Sequence, residues 1–221
     1  MGSIGAKLPL LIVVLFCAFM YMSGRMTQFG NQDSKFSRDF AATYPKLAYQ
    51  AMFDQISPKG SGRVVYSCDG KGHVRIKEHA SVIQYNHEPK NENSPKFYQE
   101  VDRITLIDYI EGKKFVVLPH DSTYQESKLS NLGVDIYDEG LYKASGAKSL
   151  GKQDMDGVSV HGWLTTFPLT DEEQTEAWFD TNGVLYFAKA NGATTKRSRF
   201  QTGSLGEQYF TLPTGYKKTK F

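Results

Sequence analysis

His120, Asp121 and Ser122 place the three side chains of a nucleophilic relay in consecutive positions. A relay needs the base within reach of the nucleophile and the acid behind the base. Consecutive residues of an extended chain point to opposite faces, so these three cannot assemble one by themselves, and no nucleophile-elbow pattern surrounds Ser122. They read as a polar turn between strands. His73, His79, His87, His120 and His161 show no spacing of the zinc-ligating kind. Cys68 lies in VVYSCD, a buried-strand pattern, and reads as a small core residue; Cys17 belongs to an apolar run, so no internal disulfide is expected. Asp69-Gly70-Lys71-Gly72 is followed by a strand pattern rather than a helix, which makes it a hairpin turn and not a phosphate cradle. Asp171-Glu172-Glu173 lacks the ligand spacing of a calcium loop and reads as a solvated loop. Trp163, Trp178 and Phe179 fall in strand patterns, as core or as cavity lining. The expectation is a chain with no catalytic residues, no metal site and no cofactor.

The strongest signal is instead topogenic. Leu8 to Met22 is an unbroken apolar run of fifteen residues, with Lys7 before it, Arg25 after it and no acid until Asp33. As a helix it reaches about 22 Å, short of a hydrocarbon core of roughly 30 Å, which suits a cleavable signal. The exit of the run argues for a retained anchor. Phe19, Met20, Tyr21 and Met22 are large where a signal peptidase site needs small residues, and Phe16 stands where a lipobox needs one. Ala6 stands where a myristoylation signal needs Ser or Thr. Lys7 and Arg25 can snorkel, and Ser23 and Gly24 lengthen the span. Residues 1–25 are therefore read as a cytoplasmic start and a single transmembrane anchor, with Leu8, Leu11, Val14, Phe16, Phe19 and Tyr21 in contact with lipid. Residues 26–43 are read as a linker, and 44–221 as one extracytoplasmic domain. Lys7, with no acid near it, keeps the amino terminus inside. The expected location is the inner membrane of a bacterium, with the domain in the periplasm.

Without Lys7 and Arg25 the body holds 24 bases against 24 acids, so the formal charge of +2 belongs to the anchor end. A neutral body supplies no field that would draw nucleic acid. Lys196, Arg197 and Arg199, and the tail Lys217, Lys218 and Lys220, read as a solvated edge strand and tail, with anionic headgroups as the alternative contact. No Asn-x-Ser/Thr acceptor occurs, since the near case Asn93-Ser94-Pro95 has no Ser or Thr at its third position, and this fits a bacterial envelope protein.

One helix is predicted, over TYPKLAYQAMFDQISPKG: Thr43 can cap it, Pro45 suits its first turn, and Leu47, Ala48, Ala51, Met52 and Ile56 share a helical face. Beyond it the period changes to two. Hairpins are predicted for Arg63–His79 about Gly70-Lys71-Gly72, Arg103–Leu118 about Glu111-Gly112-Lys113, Lys148–Phe167 about Asp156-Gly157, and Gln174–Ala190 about Asn182-Gly183. Ser81–Tyr85, Tyr124–Ser127, Thr194–Gln201 and Glu207–Phe210 read as further short strands. His87–Lys96 reads as a polar loop, and Ser130–Gly146 as a loop or a short helix. Hairpin connections throughout predict a mainly β fold: a curved, meandering antiparallel sheet with one or two short helices against its concave face.

SCDGKGHVRIKEH followed by ITLIDYIEGKKFVVLP, then MDGVSVHGWLTTFP, EAWFDTNGVLYFAKANG and QYFTLPTGYKK, resembles the strand-and-turn pattern of the LolA/LolB-like half-barrel proteins over Leu47 to Lys217. The resemblance implies a bacterial periplasmic or lipid-anchored half-barrel that holds acyl chains or lipoproteins in an apolar cavity. An enzyme on the same scaffold ranks last, because local sequence supplies neither paired carboxylates nor a nucleophile with its base, and two functional expectations stand ahead of it. One is a membrane-anchored module that binds a lipid or other apolar ligand. The other is a non-catalytic accessory subunit of an envelope complex, whose partners are membrane lipid and the helices of integral membrane proteins, with no nucleic acid.

Overall fold

A computed structural model describes residues 44–85, 96–129, 137, 139–144, 146–166, 174–190 and 192–219. The anchor residues Leu8, Leu11, Val14, Phe16, Phe19 and Tyr21, the linker, most of the loop His87–Lys96 and the acidic run Asp171-Glu172-Glu173 lie outside them. Among the described residues no helix is long and apolar enough to cross a membrane.

Among the described residues twelve strands form a single sheet. They are β1 (Ala48–Ser57), β2 (Gly60–Asp69), β3 (His73–Tyr85), β4 (Lys96–Asp108), β5 (Lys113–Leu118), β6 (Thr123–Lys128), β7 (Lys148–Met155), β8 (Val158–Thr166), β9 (Gln174–Asp180), β10 (Leu185–Ala190), β11 (Ala193–Thr202) and β12 (Lys217–Lys218). A six-residue helix, α1 (Glu139–Ala144), lies between β6 and β7. The spatial order is β12-β6-β5-β4-β3-β2-β1-β11-β10-β9-β8-β7. Every pairing is antiparallel except the two-residue contact of β12 with β6. Bulges at Met52/Phe53, Leu185/Phe187 and Ser149/Gly151 add local twist to an open, curved sheet.

The predicted first helix is a strand. Leu47, Ala48, Ala51, Met52 and Ile56 do fit a helical stripe, yet Tyr49, Ala51, Phe53 and Gln55 alternate as buried positions along the same segment. Both periods fit ten residues, and local pattern alone cannot choose between them. Tertiary pairing decides, because β2 and β11 satisfy the backbone of β1 on both sides. Three smaller corrections have similar causes. Glu207–Phe210 is a 3₁₀ turn, too short and too exposed to join a ladder. His73–His79 and Ser81–Tyr85 are one thirteen-residue strand, paired along its whole length with β4. The strand bearing Lys196, Arg197 and Arg199 is not at an edge: β11 lies between β1 and β10.

The order explains how the two faces are covered. The chain starts mid-sheet at β1, meanders to one edge at β6, restarts at the opposite edge with β7, and returns to the middle at β11. Two links must therefore traverse the sheet, and they use opposite faces. The inner face carries Tyr49, Ala51, Phe53, Val64, Tyr66, Cys68, Val74 and Ile76, and onto these pack Leu129, Tyr137, Tyr142 and Ala147 of the β6–β7 link. The outer face carries Ile104, Leu106, Phe115, Val117 and Tyr124, and onto these pack Leu212 and Tyr216 of the carboxy-terminal strap. The strap is held by Gln50 Nε2 donating to Tyr209 Oη (3.3 Å), by Arg75 over the Tyr209 ring (4.4 Å), and by Lys217 N donating to Ser122 O (3.0 Å). Leu129, Tyr137 and Tyr142 are buried, and fully burying such an apolar side chain stabilises by about 1.5–3 kcal/mol; Leu212 and Tyr216 are only half-buried and hold the strap less firmly.

A second outer cluster joins Val160, Trp178 and Tyr186 at the other wing. Gly162 makes it possible. A Cβ there would lie 2.5 Å from the Trp178 ring, so the indole rests directly on the β8 backbone. Gly162→Ala is expected to cost about 1–3 kcal/mol through overpacking and to shift Trp178 fluorescence, measured together in a urea titration. An unchanged midpoint and an unchanged spectrum would show that the indole does not seat there.

Candidate functional site

The inner face is the place where the half-barrel resemblance implies a ligand. Its alternating positions converge because β1 to β4 run in continuous register. Aromatic rings fill it. Tyr49 stacks on Tyr66 (5.6 Å between centroids), Tyr137 lies against Phe53 (4.8 Å) and Tyr66 (5.5 Å), and Tyr142 meets Phe179 edge-on (5.3 Å). Gln55 Nε2, buried on β1, donates to Tyr137 Oη at 2.9 Å, so a polar bond fixes the plug beside its apolar contacts. α1 is fastened from its other side by Trp163 Nε1 donating to Glu139 Oε1 at 3.0 Å.

Further along the same face lies a buried ion pair. Glu78 and Arg103 face each other in register on β3 and β4, each side chain about one-tenth exposed, and the Arg103 guanidinium donates to Glu78 Oε2. Burial pushes the Glu78 carboxyl above its ordinary range, against the opposing pull of Arg103 and Lys114. A second buried pair, Arg197 Nη1 to Asp180 Oδ2 at 2.6 Å, ties β11 to the end of β9, with Arg197 also over the rings of Tyr186 and Phe200. Lys196 Nζ meets Asp156 Oδ2 at 2.9 Å. Two members of the basic cluster are thus engaged in structural pairs rather than presented together to a headgroup.

The outer face of the central strands bears a groove of about 530 Å³ lined by Asp54, Ser61, Arg63, Val65, Lys77, His79, Ser81 and Glu100, among others. One cross-strand row runs Lys196, Asp54, Arg63, His79, Asp102. Arg63 Nε lies 3.0 Å from Asp54, and His79 lies 2.9 Å from Asp102 and 3.3 Å from Glu100. The groove is shallow and of mixed sign. It can hold polar groups of a partner.

The sequence-level candidates fall as follows. Cys68 is buried in the inner core. His120, Asp121 and Ser122 form the β5–β6 turn, with Ser122 N donating to Pro119 O and Ser122 at φ 51°. Asp69 organises the β2–β3 turn: it accepts from Lys71 N (2.7 Å) and His73 N (3.0 Å) and lies 2.6 Å from His73 Nδ1. Burial alone would raise the Asp69 carboxyl, but these bonds outweigh it and hold it below the ordinary value. Phe179 joins the inner core, Trp178 the outer cluster, and Trp163 the rim of the plug. Among the described residues no group of three or more His, Cys, Asp and Glu could hold a metal ion. Glu78, Arg103 and Tyr137 were not singled out from sequence. The signal for Glu78 was present, since it shares parity with Val74, Ile76, Ala80 and Val82; nothing local marked Tyr137 as the plug.

No protein family and no curated protein matches this sequence. Among solved structures the chain is similar to an uncharacterized conserved protein from Thermus thermophilus, at a TM-score of 0.52 and 10% identity, over 82% of this chain and 94% of that one. It is also similar to MucB, at a TM-score of 0.42 and 10% identity over 80% of this chain and 61% of that one. The MucA/MucB complex of Pseudomonas aeruginosa gives a TM-score of 0.39 and 12% identity over 79% of this chain and 59% of that one. The Thermus likeness is one of fold: a mainly β, open and curved sheet. The MucB likenesses, at their lower scores, carry no argument about activity.

Proposed function

We propose that this chain is a non-catalytic docking module of the LolA-like half-barrel kind, tethered to the bacterial inner membrane through Leu8–Met22, with its domain in the periplasm. On this reading it serves as an accessory subunit of an envelope membrane complex. The single observation that supports docking over carriage is the aromatic plug: Tyr137 and Tyr142 occupy the face that an acyl chain would otherwise use. A tethered domain also has no route for shuttling cargo, and the mixed charges of the outer groove suit a protein surface better than a lipid tail.

The test is affinity isolation of the full-length chain from bacterial membranes in mild detergent after brief cross-linking, with native mass spectrometry of the same preparation. A stoichiometric integral membrane partner and no bound acyl chain are expected. A reproducible one-to-one acyl ligand would replace docking by lipid binding, and a monomer at every detergent strength would remove the accessory role.

A further inference from the structure

β7 closes one edge of the sheet. It pairs with β8 on one side, and among the described residues no strand pairs with its other side. Every residue from Lys148 to Asp154 is exposed. Such an edge offers unpaired N–H and C=O groups to any extended chain, and proteins commonly guard it with lysines and bulges. β7 has both, but the bulge lies between Ser149 and Gly151, where Gly151 takes a φ of 83°, so Lys152–Met155 remains a regular, pairable stretch.

Register with β8 assigns the faces of that stretch. Lys152 lies opposite His161 and Asp154 opposite Ser159; His161 in turn packs on Trp163, so Lys152 and Asp154 share the inner face. Gly151, Gln153 and Met155 point outward. Lys152 makes no ion pair among the described residues. Asp154 uses Oδ1 to accept from Gly157 N at 2.8 Å, which leaves Oδ2 for another donor.

We propose that a second copy of this chain pairs antiparallel with β7 about a two-fold axis through Gln153. Lys152 of each copy then faces Asp154 of the other, and Gln153 faces itself. A two-fold axis normal to the sheet keeps inner face against inner face, and the interface is self-complementary. The charges also choose the register. A one-residue slip opposes inward and outward side chains. A two-residue slip sets Lys152 against Lys152, or Asp154 against Asp154, and like charges directly opposite are unfavourable. The lysine that repels a stray strand is thus neutralised by one partner in one register. The pairing is independent of the docking function proposed above, since it uses the edge strand and neither face of the sheet.

The test uses the full-length chain carrying Cys17→Ser, in native membranes and in mild detergent. Directly opposite residues place their Cβ atoms about 4.5–5.5 Å apart, so a small backbone shift brings two cysteines within disulfide reach. Gln153→Cys is expected to form an oxidised dimer, and Lys77→Cys, on the outer face of β3, is not. In sedimentation, Lys152→Glu is expected to weaken the dimer about tenfold, and Lys152→Glu with Asp154→Lys to return to within about threefold of the parent. Because Asp154→Lys also removes a turn contact, a second measurement mixes two tagged chains, one with Lys152→Cys and one with Asp154→Cys; these are expected to cross-link to each other and not to themselves. Cross-linking at Gln153 no stronger than at Lys77, or no preference for the mixed pair, overturns the proposal.

Discussion

Arg103→Met is expected to destabilise the domain by about 3–5 kcal/mol at pH 8, because it leaves the buried Glu78 carboxylate without its principal counter-charge. The loss is expected to shrink as the pH is lowered. Glu78 already titrates above the ordinary range because burial penalises its charged form. Without Arg103 it titrates higher still. Between the unfolded value of about 4.3 and that raised folded value, the native state binds a proton that the unfolded chain has released. Stability from this group is therefore fully present below the unfolded value and lost as the pH rises through the folded one. Urea titrations of Arg103→Met at pH 5 and pH 8 measure the difference. Adding Glu78→Leu should recover most of the loss and abolish the pH dependence, since an apolar pair leaves no charge to desolvate. Equal losses at both pH values, or no recovery in the double variant, would show that the pair is not buried as described.

The second large effect is expected from Tyr142→Ala. Tyr142 is completely buried and meets Phe179 edge-on, so its removal leaves a cavity under α1 rather than a surface dent. Truncation of a buried aromatic costs about 3–5 kcal/mol, which for a domain of this size lowers the melting temperature on the order of 10 °C. The same variant bears on function. If the plug is what keeps the inner face closed, Tyr142→Ala should bind an added apolar dye in its folded state while the parent does not. A loss below about 1 kcal/mol would mean that the β6–β7 link is not seated on the sheet.

Much of this architecture is legible in local sequence. Asn182-Gly183, Asp156-Gly157 and Gly70-Lys71-Gly72 mark their turns, because positive φ is costly for most side chains and cheap for glycine. Alternation in VVYSCD and HVRIKEHASV marks inner-face strands, and the same parity rule would have flagged Glu78 as an inward-facing acid. The segment Ala48–Ser57 is the instructive failure. Its apolar residues satisfy a period of two and a period of 3.6 at once, and only the presence of β2 and β11 on either side settles which is used. The placement of β11 fails for a related reason. A strand rich in Lys and Arg looks like an edge, yet Arg197 is buried because Asp180, from another strand, neutralises it.

Residues near one another along the chain thus determined the hairpins, the turn positions and the mainly β class, since those depend on backbone preferences and on side-chain alternation over a few residues. The run Leu8–Met22 determined the expectation of an anchor in the same way, through length and flanking charge. The tertiary structure alone decided which face each link covers, that Tyr137 and Tyr142 pack on the inner face of the curved sheet, that Glu78 finds Arg103, and that β7 lies at the end of the strand order among the described residues. Each of these rests on contacts between segments distant in sequence, whose free energy comes from burial and charge neutralisation that no local window contains.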